Sequence, residues 1–308
     1  MKLLFKLLIA TLCVSSAYAS EQINILWGFA IGSNQANTVR IMCQELNEMQ
    51  DKYTFVLISK PGNSGTIAAQ TVTTHPGNTL VGMGTSFITR PYFSKNEISH
   101  NLDDYEPILV QATDSPLYIF SSKYSTMDEL LKAKNVNIGV SGIGALAHLT
   151  TIQLMEINPN IRPINYNSMI ESATAAAGGH IDAMIGFYAD AKSLVDVGKL
   201  KVLAHTGTKD KFNSGTKSIT EFGLSETRNI TASYAIYASK QMPHDKFVEI
   251  HNLLYEVNHH PEVLKSYQRD QLIPINLTIE QGNNWYSDQR KFWEKEMVKI
   301  KRNSPDSN

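Results

Sequence analysis

The sequence predicts an α/β protein built on parallel sheets, and three observations carry that prediction. Strand and helix patterns alternate as βαβαβ between Ile23 and Met83. The same alternation returns between Val136 and Ala204. The strands run into short loops rich in Gly, Ser, Thr and Asn, at the carboxyl ends where open α/β sheets gather their ligands.

The elements follow in order. Lys2 and Lys6 flank a short apolar core, Leu7 to Val14, and Ala17-Tyr18-Ala19 is a small-x-small cleavage signal. This reads as a secretory leader cleaved after Ala19, outside the fold, with a periplasmic destination. Cys13 follows Leu12, which excludes a lipoprotein leader. Cleavage removes two lysines and no acids, so the formal charge goes from −1 to about −3. Ile23–Trp27 is a strand and Gly28–Asn37 a polar loop. Thr38–Met49 is a helix with Val39, Met42, Cys43 and Leu46 on one face. Tyr53–Ile58 is a strand, Pro61-Gly62-Asn63-Ser64-Gly65 a turn, and Thr66–Thr73 a helix. Thr79–Met83 is a third strand, running into Gly84-Thr85-Ser86.

Leu117–Ser121 is a strand that carries the chain out of this first unit. Thr126 and Glu129 stand at capping-box spacing and open a short helix. Val136–Val140 is a buried strand, Ser141-Gly142-Ile143-Gly144 a turn, and the apolar run to Met155 a helix. Pro163–Tyr166 and Ile181–Phe187 are strands, and Ser168–Ala177 is the helix between them. Tyr188-Ala189-Asp190 follows the second of these at its carboxyl end. Helix Ala191–Val197 and strand Leu200–Ala204 complete a second α/β unit. Tyr234–Ala238 carries the chain back. Three helices then follow, Pro243–Val257, Pro261–Gln268 and Thr278–Ile300, the last with Trp285, Phe292, Trp293 and Met297 as its apolar side. The tail from Arg302 onward reads as disordered.

Composition excludes several function classes. The chain has 308 residues, enough for two domains or one large one. Hydrophobic residues make up 42% and charged residues 19%, as in ordinary globular proteins. A net charge near zero and the lack of a basic stripe exclude nucleic acid as a partner. Without its leader the chain holds one cysteine, Cys43, so it has no internal disulfide, and its amphipathic setting predicts a buried, inert thiol.

The turn from Ser141 to Ala145 carries the sharpest chemical signal. A strand feeding a glycine turn and a helix places free N–H groups at the positive end of a helix dipole. Three readings remain open locally. Gly142-x-Gly144-x-x-Ala147 fits a dinucleotide fingerprint, but the next strand ends without the acidic residue that fingerprint needs. A helix N-terminus binding a carboxylate or other small anion is the second. A tight turn with no ligand is the third.

Catalytic and metal constellations are missing from the sequence pattern. His259 and His260 are adjacent, so they diverge on a helix and lack metal-ligand spacing. No nucleophile–base–orienter set can be assembled, so the expectation is a binding protein with no cofactor, not an enzyme. A cationic group on a ligand could use Asp190, against the alternative of a solvated loop aspartate. His148 is read as a packing residue. The alternative functions are a secreted hydrolase on the same scaffold, or a binding protein that serves a sensor.

An ordered set of motifs points to a family. These are Pro61-Gly62-Asn63-Ser64-Gly65, Pro76-Gly77-Asn78-Thr79-Leu80, Ser141-Gly142-Ile143-Gly144 with His148-Leu149, and Gly178-Gly179-His180-Ile181-Asp182. Gly198-Lys199-Leu200-Lys201-Val202-Leu203-Ala204 and Glu221-Phe222-Gly223-Leu224 follow. Together they resemble the extracytoplasmic solute-binding proteins of the tripartite tricarboxylate transporter family, the Bug or TctC-like proteins. The resemblance implies a two-domain, type II periplasmic-binding-protein-like fold, with two chain crossovers at the hinge and a ligand cleft between domains. Residues 20–120 and 235–308 would form the discontinuous first domain, and 121–234 the second. It implies a small organic carboxylate as ligand and the permease subunits of such a transporter as partners. Carried over by position, the cleft residues are Gly32, Ser33 and Asn34, then Thr85 and Ser86, then Ser141, Gly144 and Ala145, with Tyr188 and Asp190 at a fourth edge. The chain departs from the family pattern at Ala36, where an aspartate is usual, at Asn165-Tyr166-Asn167-Ser168 and at Ala145.

Overall fold

The computed structural model describes residues 20–93, 99–211, 214–224, 230–270, 272–275 and 277–302. The leader with its cleavage point and the tail beyond Arg302 lie outside the described residues. The chain opens with β1 (Glu21–Trp27), α1 (Asn34–Met49), β2 (Tyr53–Ser59), α2 (Thr66–Thr74) and β3 (Thr79–Gly84). Then come α3 (Ser86–Phe93), β4 (Tyr105–Pro116), β5 (Tyr118–Ser121), α4 (Met127–Lys132), β6 (Val136–Ser141) and α5 (Leu146–Met155). The middle continues with β7 (Ile161–Tyr166), α6 (Met169–Ala177), β8 (Ala183–Gly186), α7 (Tyr188–Asp196) and β9 (Lys201–His205). The chain closes with β10 (Thr231–Ser239), α8 (His244–Val257), α9 (Pro261–Arg269), β11 (Ile273–Pro274) and α10 (Ile279–Arg302).

Two sheets result. The first has strand order β11-β4-β10-β3-β1-β2, the second β7-β6-β8-β5-β9. Each is parallel where the βαβ alternation predicts it: β1 lies parallel to both β2 and β3, and β6 to both β7 and β8. An antiparallel strand extends each parallel set, β10 beside β3 and β5 beside β8. The chain changes sheet at Leu117, between β4 and β5, and returns between His205 and Thr231. The resemblance sets the domain boundaries a few residues later, at 120/121 and 234/235.

The inner strands of the second sheet, β6, β8 and β5, are buried on both faces, while the edge strand β7 is largely exposed. Alternation along β5 sends Leu117 and Ile119 into the main core, while Tyr118 and Phe120 pack into a second cluster with Ala173, Ala176 and Met184. Small residues let α6 approach closely. A Cβ at Gly139 of β6 would lie 2.1 Å from Ser172 Oγ.

The structure departs from the sequence expectations at identifiable places. Helix α1 begins at Asn34, four residues before the expected start, because the Ser33 hydroxyl caps it by accepting the Ala36 N–H at 3.2 Å. Strand β4 and helix α3 were not expected at all. Pro91 inside α3 cannot donate to the Phe87 carbonyl, and the buried His100 Nε2 donates to that carbonyl instead, at 2.7 Å. Strand β8 is shorter than Ile181–Phe187, and Tyr188 and Asp190 stand in the first turn of α7, not in a loop. On α10 the buried side is Tyr286, Trp293, Met297 and Ile300, whereas Phe292 is 41% exposed. Cys43 is buried, and burial pushes its thiol up to about 12 against the opposing charge of Arg40.

Candidate functional site

A cavity of about 280 Å³ lies between the two sheets. Its wall is assembled from the carboxyl ends of β1, β3, β6, β7 and β8, together with the start of β10. Trp27, Phe29, Ala30 and Ile31 come from the end of β1 and the loop after it. Leu146, Met169, Ile170 and Phe187 face them from the second sheet's side, so most of the lining is apolar.

Five helices begin at this cavity. Ser33 caps α1, Ser86 opens α3, Ala145 caps α5, Ser168 caps α6 and Phe187 caps α7, and all five residues belong to the wall. The first N–H groups of a helix have no intrahelical acceptor, and each N-terminus carries roughly half a positive charge. The described wall contains no Lys, Arg or His. Any positive potential therefore comes from backbone dipoles, with the hydroxyls of Ser33, Thr85, Ser86, Ser141 and Ser168 beside them. The central turn takes this shape because Gly142 and Gly144 hold φ of 89° and 78°, which side chains rarely tolerate.

Of the ten residues carried over by resemblance, Gly32, Ser33, Thr85, Ser86, Ser141, Ala145 and Asp190 line the cavity. Asn34, Gly144 and Tyr188 stand behind it, for three different reasons. Asn34 Nδ2 donates across the cleft to Asp190 Oδ1 at 3.2 Å. The Gly144 N–H donates to Nδ1 of the buried His148 at 3.1 Å, and its carbonyl accepts the Thr89 hydroxyl at 2.8 Å. Tyr188 packs its ring against Tyr118 and Phe120. Sequence reasoning did not single out Trp27, Phe29, Met169, Phe187, Ala232 or Tyr234, whose apolar signals read simply as core.

Asp190 is the one formally charged residue on the described wall. It is 9% exposed, not a solvated loop residue. Burial, reinforced by the charge of Asp270, pushes its carboxyl up to about 7, while Asn34 opposes the rise. Asp270 is itself held by Arg269, whose Nε and Nη2 donate at 2.9 and 3.1 Å. Burial and the charges of Asp190 and Asp270 raise the Tyr234 hydroxyl well above its ordinary value.

Hydrogen bonds among the described residues join the two sides of the cleft. Besides Asn34 to Asp190 and Thr89 to Gly144, the Ser64 hydroxyl donates to the Ile143 carbonyl at 3.0 Å. Among the described residues no helix is long and apolar enough to cross a membrane, and no cluster of His, Cys, Asp and Glu could hold a metal.

Solved structures share this architecture. The periplasmic binding protein BugD is 22% identical, with a TM-score of 0.80 over 92% of this chain and 98% of its own. An R. palustris protein with adipate is 18% identical, with a TM-score of 0.80 over 92% of this chain and 98% of that one. MatC from Rhodopseudomonas palustris with bound malate is 14% identical, with a TM-score of 0.79 over 90% and 99%. At these identities the likeness speaks to fold alone. No curated protein matches the chain significantly. The family model for the tripartite tricarboxylate transporter family receptor, TctC, matches residues 39–302. The chain belongs to that receptor family.

Proposed function

We propose that this receptor captures a small organic carboxylate in the cavity between its two sheets and presents the closed complex to the membrane permease of a tripartite tricarboxylate-type transporter. The observation that carries the reading is the convergence of five helix N-termini on one cavity whose described wall lacks a cationic side chain. A carboxylate there meets N–H groups and hydroxyls in a site of low dielectric, where each contact is stronger than in water. Family membership and the ligands of two structural neighbours, adipate and malate, support the same ligand class.

In this reading Gly32, Ser33, Thr85, Ser86, Ser141 and Ala145 supply the donors and the close approach. The sheets belong to two lobes that hinge at Leu117 and at the segment before Thr231. The hydrogen bonds across the cleft hold the closed form, and ligand affinity sets how far closure is favoured. The work is done in the periplasm, after removal of the leader behind Ala19.

A thermal-shift screen of small carboxylates tests the reading. A true ligand raises the melting temperature progressively with its concentration. A protein that no carboxylate stabilises, but that uncharged or purely cationic compounds do, sinks it.

A further inference from the structure

Asp190 sits badly in a site for a simple carboxylate. It is buried on a mostly apolar wall, and its Oδ2 has no hydrogen-bond partner among the described residues. An ionised carboxylate in that position lacks a counter-charge, and a second negative group brought in by a ligand would raise the cost. Among the described residues Asn34 alone offers it donors, its side-chain Nδ2 to Oδ1 at 3.2 Å and its main-chain N–H beside the carboxylate, and both are uncharged. The groups around it do not supply the missing partner. Asp270 repels it, Arg269 is spent on Asp270, and Tyr234 and Asn34 are neutral.

The position of Asp190 narrows the choice. Asn34 is the first residue of α1, so the acceptor at Asp190 lies against one of the N-termini that would hold the carboxylate. A ligand using both must carry its cation close to its carboxylate. The rest of the wall, including Trp27, Phe29, Ile31, Met169 and Phe187, calls for an apolar body. We propose that the ligand is an apolar α-amino acid, its carboxylate on the helix N-termini and its ammonium on the Asp190 carboxylate. This rests on the carboxylate reading above and adds the ammonium and the apolar side chain.

Calorimetry on the purified protein with L-phenylalanine, hydrocinnamate and phenethylamine separates the two readings, with L-leucine, isocaproate and isoamylamine as a second set. The amino acid of one set is expected to bind about tenfold or more tightly than its deaminated acid and its decarboxylated amine. Asp190→Asn is expected to reverse the first preference, weakening the amino acid about tenfold and tightening the deaminated acid. Asp190→Ser, which also removes the charge, should do the same. Circular dichroism checks that both variants are folded. A wild-type protein that binds the deaminated acids as well as the amino acids overturns the ammonium assignment and leaves the carboxylate reading standing. Amines that bind as well as the amino acids overturn both, and an absence of binding in both sets overturns the apolar amino-acid assignment.

Discussion

The two sheets follow the same rule and are held together differently. The second is covered by its own neighbours in sequence: α5 and α6 pack on β6, β7 and β8, and α7 packs on α6. The first depends on distant chain. Its central strand β10 arrives more than a hundred residues after β4, and α8 and α10 cover β4 from still further along. Phe247, Ile250, Leu254, Tyr286, Trp293 and Met297 are all buried in that cover. One half is therefore a local fold inserted into a half that closes only when the C-terminus returns.

The largest effect expected from this difference is on truncation. Removing the chain from Pro243 onward strips the cover from the first sheet and leaves every strand of the second in place. Hydrogen exchange should then show protection lost in β1 to β4 and kept in β6 to β8. A truncated protein protected throughout would mean that the first sheet does not depend on its C-terminal cover.

Next in size is the charge that the second half places in the cleft. The folded value of Asp190, about 7, lies above the ordinary carboxylate range. Between about pH 4 and that value the folded chain holds a proton that the unfolded chain has released, so stability falls as pH rises. The loss is complete above the folded value and amounts to about 4 kcal/mol. Asp190→Asn should therefore gain stability over wild type at pH 8 but not at pH 4, in chemical denaturation. Burial pushes His100, on the first half, down to about 4, and its effect runs the other way: it costs stability as pH falls below about 6.5. The comparison of variant with wild type at each pH cancels that contribution. Equal gains at both pH values would refute a buried, unpartnered carboxylate.

The same contrast explains what could be read from the sequence. The second half was legible because strand, turn and helix follow one another with local signals: Ser168 caps α6 by accepting the Glu171 N–H, and Gly178-Gly179 ends it. The first half was not, wherever distant contacts decide. Strand β4 has a Pro at its third position and Gln111 at its centre. It is a strand because the Gln111 carbonyl accepts the Ile275 N–H and because β10 and β11 flank it, from more than a hundred residues away. Helix α3 was hidden by Pro91, whose missing bond is replaced by His100. The cleft loops could be named from their Gly, Ser and Thr content. The apolar wall could not, because Trp27, Met169 and Phe187 read as core in any pattern. Nor did sequence say that Asp190 is buried, since burial there comes from the other half of the molecule.

The smallest expected effect is at the contacts between the halves. Thr89→Val removes the hydroxyl that donates to the Gly144 carbonyl, and should cost about 1 kcal/mol. If that bond belongs to the closed form, the cost appears as severalfold weaker ligand binding with little change in the melting temperature of the unliganded protein. The reverse pattern would make Thr89 a packing contact with no part in closure.

Native mass spectrometry of the protein isolated from its own cells, beside its Ser141→Phe variant, asks whether the ligand occupies this cavity. Ser141 ends β6 on the cavity wall, so the phenylalanine ring would fill ligand space and leave the sheet intact. The account predicts one small organic acid released per wild-type chain and none from the folded variant. A variant that retains the same acid would place the ligand outside this cleft and contradict the account.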